Sequence, residues 1–484
     1  MPGKREPQRA GVTLDPDDWN EIRAQGHRML DGMFDFVEHV RERPVWQPIP
    51  NDVRARFHAA LPTAPGNLED IYREFADFIA PYSVGNLHPG FMGWVHGGGT
   101  IVGMLAEMLA AGLNANCGGR DHIPIEVERQ IAEWSRQMFG FPESSGGLFV
   151  TGTSMANFVA LLAARTAKLG KQANRNGVGE VGVKLHAYTS TSAHGCVARA
   201  MEMAGLGTDA LHLISTDSHH RMDIEALRRA IAADRAAGLE PFLVVGSAGT
   251  VNVGAIDDLR TLADICREEN LWFHIDGAFG ALAVLSPQLA PLVEGIERAD
   301  SIAFDFHKWG QVPYDAGFII ARDQNQLLET FASPAAYLRR ETRGLAAGSP
   351  WPCDIGPDLS RGFRALKTWF TLKTYGTEQL GAVIARSCEL ARHLERRIAG
   401  EPKLELLAPV QLNIVCFRYR AADADRVNAA IIADVQESGV AAPSATTLNG
   451  HLAIRAALFN HRTQIEDIDV LIDKVLECGK RHSP

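Results

Sequence analysis

The sequence predicts an α/β protein built on a mostly parallel sheet, and three observations predict it. Short β-rich runs alternate with amphipathic helical segments through the middle of the chain. Several runs are nearly continuous in apolar residues, as strands buried on both faces are. Three of them end in turns that carry reactive or small polar side chains, where open α/β sheets bind ligands.

At 484 residues the chain exceeds the usual ceiling for one hydrophobic core. The expected division is an N-terminal arm with helices over 1–95, a large α/β domain over 96–375 and a small α+β domain over 376–484. The arm is polar to residue 18. A helix over 19–40 follows, with Ile22, Met29, Leu30, Met33, Phe34 and Val37 on one side. Pro44, Pro48 and Pro50 stop it, and a second helix over 68–79 ends before Pro81. Strands are expected at 148–150, 185–190, 211–215, 242–245, 271–275, 301–304 and 318–321, with helices over 155–169, 223–236 and 258–270 between them. After Tyr375-Gly376 a long amphipathic helix runs through Leu380, Ile384, Cys388, Ala391, Leu394 and Ile398. Strands near 412–419 and 451–456 close the chain.

A net charge of -10 argues against a nucleic-acid partner, which needs a basic face. The seven cysteines are widely spaced with no CxxC pair, which fits reduced thiols. Residues 1–18 contain no apolar signal-peptide core, and no run approaches a membrane span. The expectation is a cytoplasmic protein without a membrane partner.

Three segments carry the chemistry. Residues 301–309 read as a strand ending in His307-Lys308-Trp309. Lys308 is either an ordinary lysine at a strand end or, among Phe304, Phe306 and Trp309, a desolvated amine usable as a Schiff-base nucleophile. Residues 271–280 form an apolar strand that delivers Asp276 before Gly277 and Ala278. That carboxylate is either a helix N-cap or the partner of a pyridinium nitrogen, as pyridoxal phosphate (PLP) needs to act as an electron sink. Residues 148–157 read as strand, Thr151-Gly152-Thr153-Ser154 turn and helix start. Such a turn offers hydroxyls and free amides to a phosphate, although Ser and Thr are also ordinary caps.

Two other signals lead elsewhere. Gly205-Leu-Gly207-Thr-Asp-Ala210 fits a dinucleotide pattern, but it follows a helix and precedes a strand, the reverse of the required order. His219-His220 has no recognised ligand spacing, so no metal is expected.

Together the segments resemble the group II PLP-dependent amino-acid decarboxylases, which include the aromatic-L-amino-acid, histidine and glutamate decarboxylases. The likeness extends to His88-Pro89-Gly-Phe91-Met-Gly-Trp94, Ala193-His194-Gly, His274-Ile-Asp276, His307-Lys308-Trp309 and Gly362-Phe-Arg-Ala-Leu-Lys367. It implies fold type I, an amino-acid substrate and a homodimer. It also implies that Lys308 forms the Schiff base, Asp276 meets the pyridine nitrogen, Ala278 lies against one ring face and His194 against the other. Thr153, Ser154 and His307 fall at phosphate contacts. Trp94, His96 and Arg120 fall where relatives build the substrate pocket. Arg120 either binds an acidic side chain or pairs with Asp121 or Glu126.

The chain departs from the family at two places. Many members carry Asn at the position of Asp305, so this carboxylate is expected to turn from the phosphate or pair with a base. The stretch 343–355, where many members carry a loop tyrosine that protonates the product carbon, has none. His194 and Tyr337 are the candidate substitutes. The expected reaction is decarboxylation of an aromatic amino acid to the amine. Its rivals are an aldehyde synthase, a decarboxylase of an acidic amino acid and a PLP-binding protein without turnover.

Overall fold

The computed structural model describes residues 13–332 and 340–483. They divide into two compact units, one from residues up to 43 together with 47–84, the other from 44–46 with 85 onward.

In the first unit the helix Trp19–Glu38 starts where the Asp18 carboxylate accepts the amides of Asn20 and Glu21. The helix Leu68–Glu74 is capped in the same way by Asn67 and continues as one wider turn over Phe75–Ile79. Trp19, Ile22 and Phe34 remain exposed on the single chain, Trp19 by 60%.

The second unit holds two sheets. Their strands are β1 (Phe91–Met92), β2 (Gly146–Val150), β3 (Leu185–Ser190), β4 (Leu211–Ile214), β5 (Glu240–Ser247), β6 (Trp272–Asp276), β7 (Ser301–Asp305), β8 (Gly317–Ala321), β9 (Leu404–Leu406), β10 (Ile414–Tyr419), β11 (Ala442–Leu448) and β12 (His451–Ala457). The larger sheet has the order β2-β8-β7-β6-β5-β3-β4. Its strands are parallel except β8, which runs against both neighbours. The expected α/β class is therefore the observed one. Every residue of β2, β7 and β8 is buried, as the unbroken apolar runs require.

The smaller sheet, β1-β11-β12-β10-β9, is antiparallel except for β1, which lies parallel to β11. Its β11–β12 hairpin turns through Asn449 and Gly450, both at positive φ. The long helix spans Arg364–Ala399 and is interrupted at Gly376, whose φ is 69°. The helix expected after Tyr375-Gly376 is therefore the part beyond this break, and a second helical stretch from Arg364 precedes it. Gly205 and Gly207, at φ 72° and 79°, form the turn between a helix and β4. No described helix is long and apolar enough to cross a membrane.

Packing at the end of β7 positions the chemistry. Phe304, Phe306, Phe149 and Phe318 meet edge to face, with centroids 4.9 to 5.9 Å apart, and fix the strand that leads into His307-Lys308. Trp309 is fully buried against Phe279 and Phe459, which anchors the residue after Lys308. The turn beyond is tight: a side chain at Gly310 would meet the Phe306 carbonyl at 2.5 Å.

Candidate active site

A cavity of about 450 Å³ opens at the carboxyl ends of β5, β6 and β7. Thr153, Ser154, His194, Asp276, Ala278, His307, Lys308, Trp94 and His96 all line it. Arg120 is not among the lining residues. Its guanidinium lies 4.8 Å from the centre of the Trp351 ring, a contact neither sequence alternative foresaw.

Asp276 ends β6 and is 7% exposed. One oxygen accepts from Asn157 Nδ2 at 3.0 Å and the other from the Ala278 amide at 3.3 Å. Asn157 is buried, and its Oδ1 lies 2.8 Å from His274 Nε2. Because Oδ1 can only accept, His274 carries its proton at Nε2. Its Nδ1 then accepts from the Ser301 hydroxyl at 2.8 Å, and Ser301 accepts from the Trp272 indole at 2.8 Å. Complete burial holds the His274 pKa down at about 3, so the ring is neutral. The chain Trp272–Ser301–His274–Asn157–Asp276 aims the carboxylate, and only Asp276 was singled out for this role from the sequence.

Lys308 Nζ stands 2.7 Å from Asp305 Oδ2. Asp305 Oδ1 accepts the Thr153 amide at 2.8 Å, at the start of the helix Thr153–Leu169. The departure at Asp305 is thus met by a base. His307 accepts the Ala316 amide at Nδ1 (3.0 Å), which leaves its proton on Nε2. Burial lowers its pKa to about 4, with Asp305 opposing that shift, so His307 is a neutral donor.

The Thr153 hydroxyl is buried without a hydrogen-bond partner, at a helix N-terminus in the cavity wall. The neutral Nε2–H of His307, 3.6 Å from Asp305 Oδ2, lines the same cavity, and this arrangement suits a phosphate. A lysine amine, a fixed carboxylate and the small Ala278 in the same wall suit the rest of PLP. The residues present therefore fit that cofactor.

His194 accepts the Cys196 amide at Nδ1 (3.2 Å), leaving Nε2 as its free corner. Another part of the lining is aromatic. His96 stacks on Phe91 and Trp94 with centroids 5.6 and 6.2 Å away, and Tyr314 meets it edge-on at 5.8 Å. Burial, with Lys308 adding to it, lowers the His96 pKa.

Tyr314 and Arg455 line the cavity but were not read from the sequence. The Tyr314 ring lies 4.2 Å from that of His307, and burial raises its phenol pKa. Arg455 is buried with no carboxylate in ion-pair reach among the described residues. It donates to the Trp94, Val251 and Asn252 carbonyls and to Ser444, tying together the segments that wall the cavity. Trp351, within the tyrosine-free stretch, is 1% exposed and gives its indole proton to the Ala347 carbonyl at 2.7 Å. Tyr337, the other candidate substitute, lies outside the described residues.

Comparison with known proteins agrees with this geometry. The pyridoxal-dependent decarboxylase conserved domain matches residues 50–420. An aromatic-L-amino-acid decarboxylase from Bacillus atrophaeus is 32% identical, covering 94% of this chain and 95% of that protein. One from Sus scrofa is 31% identical, covering 92% and 93%. The crystal structure of Oryza sativa TDC with PLP and tryptamine superposes with a TM-score of 0.89 at 24% identity, covering 98% of this chain and 100% of that one, and so shares the fold. With a cavity built around a lysine, a wired carboxylate and a phosphate-suited helix start, and with these matches along almost its whole length, the chain belongs to the pyridoxal-dependent decarboxylase family.

Proposed function

We propose that the chain decarboxylates an aromatic L-amino acid to CO₂ and the corresponding amine. The observation that carries the substrate class is the wall formed by Trp94, His96 and Tyr314, flat surfaces that line the same cavity as Lys308. The two relatives above, both named for aromatic amino acids, support the same reading. No comparable support exists for an acidic substrate through Arg120, which is engaged with Trp351 outside the cavity lining.

In this reading Lys308 tethers the cofactor, Asp276 keeps its ring nitrogen charged, and Ala278 and His194 flank the ring. Thr153, Ser154 and His307 hold its phosphate. The chemistry supplied by bound PLP is that of an electron sink for the pair left behind by CO₂. The protein's own part is orientation, exclusion of water by the aromatic wall, and return of a proton to the substrate carbon. His194 is suited to that last task, with an exchangeable proton on its free Nε2.

The exposed Trp19, Ile22 and Phe34 of the first helix support a homodimer, since a single chain leaves this apolar stripe uncovered. All seven cysteines are free and buried, which supports a reducing, cytoplasmic setting.

The test is stoichiometric. Aromatic, acidic and aliphatic amino acids are supplied in turn, and CO₂, amine, ammonia and peroxide are measured from one mixture. Amine matching CO₂ from an aromatic substrate is the expected outcome. Ammonia and peroxide matching CO₂ would make the chain an aldehyde synthase, and preference for glutamate or aspartate would overturn the aromatic assignment.

A further inference from the structure

A cluster of two imidazoles and a carboxylate sits where the edge strand β4 meets its neighbour β3, and none of its members lines the cavity. His186 and Tyr188, two residues apart, project from one face of β3. β4 sets His212 opposite Tyr188 in parallel register. The helix Ile224–Ala236 contributes Asp234, which is buried. His212 Nε2 lies 2.8 Å from His186 Nδ1 and 2.8 Å from Asp234 Oδ2, while Oδ2 and His186 Nδ1 are 3.5 Å apart. The Tyr188 hydroxyl donates to the same Oδ2 at 2.5 Å.

Hydrogen bonding alone does not satisfy this triangle. A ring nitrogen has one direction in its plane, filled by a proton or by a lone pair. A proton on His212 Nε2 can point at Asp234 or at His186. If Nε2 instead accepts from His186, its lone pair faces a carboxylate oxygen at 2.8 Å. Among the described residues, no lysine or arginine lies within ion-pair reach of Asp234 to offset its charge.

A cation meets all three contacts at once. With metal–ligand distances near 2.0–2.1 Å, ligand atoms of a tetrahedral site stand about 3.3 Å apart, a value the observed separations bracket. We infer that His186, His212 and Asp234 bind a borderline first-row divalent cation of the Zn²⁺ type, with Tyr188 orienting the carboxylate. The His212 side chain is 33% exposed, which gives the ion an entry path and leaves the fourth position to water. The sequence carried no recognised ligand spacing because the three ligands come from two strands and a helix. Adjacent His219 and His220, the pair that suggests a metal on paper, are not part of the cluster. Such an ion would staple the outermost strand to its neighbour and to the covering helix. It would thus add stability without touching the cofactor chemistry.

The test uses cofactor-loaded protein stripped with a chelator and titrated with ZnCl₂, then with CoCl₂. The expected result is one equivalent bound per chain at micromolar affinity or better. The thermal midpoint should rise by about 2–4 °C at a hundredfold excess over Kd, and Co²⁺ should show a visible absorption band. His212→Gln and His186→Gln should each weaken that equivalent at least tenfold. Both should keep the cofactor absorbance and the chelator-treated midpoint of the parent. Because every cysteine is buried, thiolates should not compete. Parent protein that takes up no more Zn²⁺ than these variants, or a midpoint unmoved by the metal, would overturn the site.

Discussion

The two walls of the cavity are built on opposite principles. Behind Asp276, each polar group from Asn157 through His274 and Ser301 to Trp272 has its partner, and all of them sit on β6, β7 or the helix between β2 and β3. In the aromatic part of the lining, Trp94 is 53% and Tyr314 47% exposed, and His96 Nδ1 is buried with no partner. The first wall is preorganised for a group that stays; the second keeps capacity for a ligand that comes and goes. Replacements behind Asp276 should therefore act on the cofactor's electronics and on stability. Those in the aromatic part of the lining should act on substrate affinity and on the course of the reaction.

The largest effects belong to the fixed wall. Lys308→Ala should abolish borohydride-trapped cofactor and bring turnover below detection, and labelled-peptide mapping should find PLP on no other lysine. On the role proposed for it, Asp276→Ala should keep part of its PLP yet lose turnover by roughly 10²–10⁴-fold, because removing one partner of a buried charge pair costs about 3–5 kcal/mol. Near-normal turnover in that variant would remove Asp276 from the role of nitrogen partner.

The next effect is on stability. His274 and His307 are neutral when folded, with pKa values lowered to about 3 and about 4, whereas a histidine in the unfolded chain titrates near 6.5. Below that value the unfolded state takes up protons that the folded state refuses. Their stabilisation is therefore intact above about pH 6.5 and declines as the pH falls toward 4. Each group contributes up to about 1.4 kcal/mol per pH unit in that window. His274→Gln keeps a hydrogen-bonding side chain but cannot titrate, so its urea midpoint should fall less steeply from pH 7 to pH 5 than the parent's. Parallel curves would show that His274 is not the buried, neutral link described above.

The same contrast governs what the sequence disclosed. Lys308, Asp276 and the Thr153 turn each follow a strand of nearly continuous apolar residues, so their placement follows from local pattern and the geometry of parallel sheets. Asn157 and His274 were visible as residues, but their pairing depends on two elements meeting side by side. The aromatic wall draws on Trp94, Tyr314 and Arg455, which lie hundreds of positions apart, and no periodicity reports such a meeting. Some misses were avoidable. β11 is polar and small in composition and reads as a loop, yet the Asn449-Gly450 pair that turns it into β12 is a hairpin signal in the sequence itself. β1 has two residues and exists only through its pairing with β11.

The smallest and most informative effect concerns the proton that completes the amine. No residue of the stretch 343–355 lines the cavity; it has no tyrosine, and Trp351 is buried with its indole proton committed to a carbonyl. Among the lining groups, His194 and Tyr314 make the sharpest contrast as proton donors. Partial burial of the Tyr314 phenol, with the Asp305 charge adding to it, raises its pKa and makes it a poorer acid at neutral pH, whereas imidazole is the side chain suited to proton transfer there. His194 also has its Nδ1 fixed by the Cys196 amide, so its proton occupies one defined corner. His194→Gln should therefore lower amine yield per CO₂ several-fold, raise ammonia and peroxide in compensation, and leave cofactor absorbance intact. Tyr314→Phe keeps the ring and loses only the hydroxyl, so it should change the amine fraction by less than about twofold while shifting KM modestly. If the two variants exchange these phenotypes, the proton comes from the aromatic wall. The open side of the cavity would then do more than bind substrate.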